Sequence, residues 1–110
     1  LICLHQSPKS GLEFETFMRE ASRDRLVIAP DYPGYGMSDP APSEDATTIP
    51  MYAEEMWRVA DGLGVKTVDL FGNHTGAKVA AQMALTGSDR VHAIAMISAA
   101  ILTDEEREMY

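Results

Sequence analysis

Five residues constrain this chain more than any others. Gly72-Asn73-His74-Thr75-Gly76 joins a β-favouring run at 67–71 to an Ala-rich stretch of helical composition at about 77–85. A strand that passes into a helix over so short a link must turn sharply, and the two elements then nearly collide. Only small residues fit at such an approach, and Gly72 and Gly76 flank His74 two positions away on each side.

The rest of the chain repeats the alternation that this turn begins. Runs at 1–4, 26–29, 67–71 and 91–98 read as strands. Between them, Phe14, Phe17, Met18 and Ala21 recur at helical spacing within 13–22, and Ala53, Met56, Trp57 and Ala60 share a face within 51–63. These apolar residues read as core packing, without a cofactor. Gly62 and Gly64 punctuate the second helix, and the proline-rich stretch 30–50, with Gly34 and Gly36, reads as a long loop. Thr103-Asp104-Glu105-Glu106 has the form of a capping box, so a further helix is expected there. No internal repeat is present. The order βαβαβαβ predicts an α/β fold with a parallel sheet and right-handed crossovers, in three α/β/α layers. Ligands are then expected at the carboxyl ends of the strands, in the loops 5–11, 31–50, 72–76 and 99–103.

Composition narrows the function classes. The 110 residues suit one domain, and nine Lys and Arg against 17 Asp and Glu give a net charge of −8. That balance offers no basic footprint for nucleic acid or an anionic membrane surface, which leaves small-molecule chemistry or protein contact. The single cysteine, Cys3, cannot form an internal disulfide or a thiolate zinc site, and a cytoplasmic location is expected. The longest apolar runs, near 27–29 and 93–97, fall far short of the roughly 20 residues of a spanning helix. With no phosphate-binding glycine loop, dinucleotide fingerprint or metal-ligand spacing, no cofactor and no metal are expected. Residues 1–4 already look like the middle of a buried strand, so the chain reads as part of a longer protein, truncated at both ends.

The sequence around His74 resembles the nucleophile elbow, G-x-S-x-G, of the α/β-hydrolase family. Three further stretches resemble the same family in the same order: Leu4-His5-Gln6-Ser7-Pro8 its H-G-x-P loop, residues 31–38, Asp31 to Ser38, its D-x-x-G-x-G-x-S loop, and Ser88-Asp89-Arg90-Val91 its P-x-R-V entry to a strand. The resemblance spans essentially the whole chain and implies a partial α/β-hydrolase domain over 1–110, covering the third to sixth strands of a sheet of about eight, with a lid beginning after Leu102. It implies an oxyanion site built from the backbone N–H groups of Ser7 and Thr75. It also leaves the usual downstream acid and catalytic His of a triad outside these residues.

The sequence departs from the family at the central position, where His74 stands in place of a Ser, Asp or Cys nucleophile. Three readings follow. Neutral imidazole can serve as a general base toward water or a substrate proton. It can attack directly, through an acyl-imidazole that hydrolyses readily. Or the residue binds a ligand, or is vestigial, in a turn that His tolerates better than most residues. Gln6 replaces the family's usual glycine and either crowds its loop or donates a side-chain hydrogen bond. The expected function is hydrolysis of a small ester-like or related carbonyl substrate with His74 as base or nucleophile; the alternatives are a cofactor-free lyase and a non-catalytic ligand-binding protein. His5 is expected to hold its loop, His92 to lie away from the site, Asp31 to form a turn and Asp104 to begin a helix, while Ser38 and Ser98 have no base beside them.

Overall fold

A computed structural model describes residues 1–6, 10–33 and 48–97. The elements run β1 (Ile2–Leu4), a 3-10 turn (Gly11–Phe14), α1 (Glu15–Ala21), α2 (Ile49–Gly62), β2 (Val68–Asn73), α3 (Thr75–Thr86), a second 3-10 turn (Ser88–Arg90) and β3 (Val91–Ile97). Among the described residues the sheet has three strands in the order β1-β2-β3, and both pairings are parallel. Leu4 lies opposite Gly72, which in turn lies opposite Met96, so all three strands end at the same edge.

Period-2 alternation decides what each face of β2 covers. Val68 and Leu70 are buried with Ile2 and Leu4 of β1 against Ala53, Met56, Trp57 and Ala60 of α2 and Val79 and Met83 of α3. On the opposite face Phe71 meets the rings of Phe14 and Phe17 edge-on, at centroid distances of 5.7 and 5.1 Å. Helices therefore cover both faces, as the three-layer expectation requires. The layers are unequal: α1 has no fully buried residue, whereas α2 and α3 bury five each.

Two expectations about elements are corrected. Residues 26–29 do not form a full strand; Ile28 makes one isolated parallel bridge to Ile2, with backbone bonds Cys3 N–H to Ile28 carbonyl of 2.7 Å and Ile28 N–H to Leu1 carbonyl of 2.9 Å. Pro30 lacks the N–H that would extend this ladder. The helix expected over 13–22 is α1 preceded by a 3-10 turn, because the Ser10 hydroxyl accepts from Leu12 N–H and the Asp31 carboxylate accepts from Gly11 N–H at 2.7 Å, tightening the chain entry.

The second helix keeps its expected face and begins earlier. Thr48 caps it by accepting from Met51 N–H at 3.3 Å, and Pro50 sits in the first turn, where no N–H is needed. Trp57 Nε1 donates to Thr86 Oγ1 at 3.3 Å, tying α2 to the end of α3. Arg90 lies 4.3 Å over the Trp57 ring, donates to the Lys66 and Val65 carbonyls at 2.9 Å each, and pairs with Asp61 at 2.8 Å. These contacts explain why an Arg precedes β3.

Candidate active site

The site begins where β2 stops. His74 has φ 54° and ψ −112°, the one positive φ at a non-glycine position among the described residues. This conformation lies outside even the left-handed helical region and carries strain of roughly 1–3 kcal/mol. Packing imposes it. A Cβ on Gly72 would stand 2.2 Å from the Gly76 carbonyl oxygen, and one on Gly76 would stand 1.9 Å from that of Leu4. Strand, turn and helix therefore close on one another and on the end of β1.

The backbone of His74 is anchored on both sides. Its N–H donates to the Ile97 carbonyl and its carbonyl accepts from Ala77 N–H, each at 2.9 Å. Its side chain is exposed and Thr75, the first residue of α3, is half-buried. N–H groups in the first turn of a helix lack intrahelical acceptors, and the helix dipole adds partial positive charge there. The turn thus places an exposed imidazole at the N-terminal end of a helix.

The loop leaving β1 abuts this turn, since the same added Cβ on Gly76 would lie 3.1 Å from the His5 carbonyl oxygen. His5 is fully buried, and its Nε2 accepts from Tyr32 N–H at 3.1 Å. The Gln6 carbonyl is 2.9 Å from Nδ1, and a carbonyl can only accept, so His5 is the neutral tautomer with its proton on Nδ1. Its ring lies 3.9 Å from that of Tyr32, which stacks on Tyr52 at 4.8 Å. His5 holds its loop, as expected.

Gln6 is held by a residue that sequence reading passed over. Its N–H donates to Glu13 Oε1 at 2.7 Å and its Nε2 donates to Oε2 at 3.2 Å. An acid at a helix start ordinarily reads as a complement to the dipole, and nothing in the spacing links it to a residue seven positions earlier. The Asp31 carboxylate accepts from Gly11 N–H, twenty positions earlier in the chain, a long-range contact that the expected turn role does not describe. Ser7, Ser38, Ser98 and Asp104, the loop 99–103 and the lid expected after Leu102 lie outside the described residues.

The other ionisable groups lie elsewhere. His92 Nδ1 is 3.0 Å from Asp69 Oδ1, and Arg25 pairs with the second oxygen of the same carboxylate. Hydrogen bonds from Arg25 and then His92 hold the Asp69 carboxyl below its ordinary range. This cluster sits at the amino ends of β2 and β3, opposite the His74 turn. Burial pushes the Cys3 thiol up to about 11, so it stays protonated at neutral pH and is no nucleophile. Among the described residues no group of three or more His, Cys, Asp or Glu could hold a metal ion, and no helix is long and apolar enough to cross a membrane. A cavity of 610 Å³ beside α1, bordered by Met18 and Ala29, and one of 460 Å³ bordered by Trp57 and Gln82 do not include His74.

The family model described as alpha/beta hydrolase fold matches residues 1–110. The chain is 29% identical over 79 residues to the 3-hydroxybutyrate-oligomer hydrolase of Cupriavidus necator, which covers 72% of the chain and 27% of that protein. It is 33% identical over 85 residues to the magnesium-chelatase 30 kDa subunit of Rhodobacter capsulatus, over 77% of the chain and 30% of that protein. A solved structure of the N-acyl homoserine lactonase AidH, complexed with N-butanoyl homoserine, superposes with a TM-score of 0.88 at 26% identity, over 96% of this chain and 39% of that one. The chain therefore spans less than a third of the length of the two curated relatives.

Proposed function

This chain belongs to the alpha/beta hydrolase fold family, and from that membership we propose that the turn at His74 is its nucleophile elbow and that the protein hydrolyses a small ester-like or related carbonyl substrate. The observation that carries the reading is the backbone of His74: a strained φ of 54° at the carboxyl end of the sheet, with an exposed imidazole at the start of α3. Strain of this kind persists where surrounding packing imposes it and gathers at functional sites.

In the proposed reaction the neutral His74 imidazole removes a proton from water as the water oxygen bonds to the substrate carbonyl carbon. The carbonyl electron pair moves onto its oxygen, and Thr75 N–H, with the N-terminal dipole of α3, stabilises the resulting oxyanion. Ser7 N–H is the second donor that the family resemblance implies. Collapse of the tetrahedral adduct expels the alcohol, which takes the proton back from the imidazolium. The direct variant differs in one bond: His74 itself attacks, and water then hydrolyses the acyl-imidazole. No step calls on a metal or cofactor.

The test compares the full-length protein with its His74→Ala variant on short p-nitrophenyl esters between pH 5 and 9. A wild-type rate that titrates with a histidine, and a loss of about a hundredfold or more in the variant, supports the reading. Equal activity in both removes His74 from the chemistry. Inertness of the wild type toward esters points to the lyase or to the ligand-binding alternative.

A further inference from the structure

We propose that Glu13 is a positioning residue for this reaction: its carboxylate latches Gln6 by two hydrogen bonds and so holds His5 and Gln6, at the exit of β1, against the turn at His74. The inference rests on the functional reading above, because the loop matters to catalysis only if the turn is the reacting centre. Three polar groups of Gln6 are engaged within the protein. Glu13 accepts from its N–H at 2.7 Å and from its Nε2 at 3.2 Å, while His5 Nδ1 donates to its carbonyl at 2.9 Å.

The consequence is geometric. Gln6 immediately follows His5, whose carbonyl lies close enough to Gly76 that an added Cβ would be 3.1 Å from it. The Gln6 N–H that Glu13 holds shares one planar amide with that His5 carbonyl, and a planar amide cannot rotate one end without the other. A grip on both sides of Gln6 therefore sets the direction in which the backbone leaves the strand beside the His74 turn. Oxyanion-type stabilisation depends on donors placed before the reaction, and small misplacements are costly. Glycine at position 6 would leave the chain free to rotate and could supply no Nε2. Gln6 and Glu13 thus act as a pair, with Glu13 reaching the reaction only through Gln6.

A glutamine at position 13 separates position from charge. In Glu13→Gln the new amide can accept from Gln6 N–H through its oxygen and donate through its nitrogen to the Gln6 side-chain oxygen, after the Gln6 amide flips. Glu13→Ala can do neither. In the full-length protein, hydrogen exchange at the Gln6 amide is measured alongside kcat and KM for a short p-nitrophenyl ester. Expected are Gln6 exchange at least tenfold faster in Glu13→Ala, a kcat lowered roughly tenfold to a hundredfold with KM little changed, and recovery of both in Glu13→Gln. Unchanged exchange in Glu13→Ala overturns the latch. Faster exchange with unchanged kcat overturns its role in positioning. Loss of kcat in Glu13→Gln equal to that in Glu13→Ala overturns the positional reading in favour of the negative charge. If wild type lacks esterase activity while Gln6 exchange responds as expected, the functional reading has failed and takes the positioning role with it, leaving a latch that is structural.

Discussion

The two ends of the sheet are held by different physics. At the carboxyl end, backbone lies against backbone: Gly72 against Gly76, Gly76 against Leu4, and a strained His74 between them. At the amino end, Arg25, Asp69 and His92 meet through side chains, with Arg25 and His92 43% and 82% exposed. Steric closeness admits no partial adjustment, whereas charges in water are screened and replaceable. The difference teaches why one end can hold an imidazole in a costly conformation and the other cannot.

The largest effect should come from breaking the close approach. Gly76→Ala would drive a Cβ to 1.9 Å from a backbone oxygen, so a loss of about 3 kcal/mol or more, or failure to fold, is expected in denaturant unfolding of the full-length protein. Gly62→Ala is the control, because nothing lies within 4 Å of its added Cβ. Comparable destabilisation of the two variants would break the contrast drawn between the glycines of the turn and the rest.

The intermediate effect concerns strain. His74→Gly removes the Cβ that makes φ 54° costly and should stabilise the fold by about 1 kcal/mol, after the greater unfolded-state entropy of glycine is offset. His74→Ala keeps the Cβ and should leave stability nearly unchanged. Both should lose ester hydrolysis. Thermal melts that rank alanine at or above glycine would show that the turn is not strained.

The smallest effect belongs to the amino end. Hydrogen bonds from Arg25 and His92 hold the Asp69 carboxyl below its ordinary range, so its stabilisation is present above about pH 4 and disappears as pH falls through the lower folded value. Asp69→Asn should therefore cost at most about 1 kcal/mol at neutral pH, and its melting curve should approach that of wild type in acid. A difference that persists unchanged to low pH would mean that shape, rather than charge, holds this cluster.

The alternation of short apolar runs with helical spacing made the α/β layers legible, because core burial writes a period of two or of 3.6 into a chain. Ala53, Met56, Trp57 and Ala60 came out buried where the helical face required it. The run 26–29 misled for a definite reason: four β-favouring residues look like a strand whether or not neighbours complete the ladder, and here Ile28 makes a single bridge. In the candidate site, Gly72, His74 and Gly76 stood out because their spacing marks a sharp strand-to-helix turn, although the atoms that crowd Gly76 belong to Leu4 and His5 at the far end of the sequence. Glu13 did not, since its partner is reached across a loop.

The sequence by itself determined the parallel α/β order and the sharp turn at 72–76, because these depend on neighbours along the chain. Only the tertiary structure decided which nitrogen of His5 carries its proton, that Glu13 grips Gln6, and that Asp69 draws Arg25 and His92 to the far end of the sheet. Hydrogen-bond partners are chosen by three-dimensional approach within about 3 Å, a distance that no one-dimensional pattern encodes.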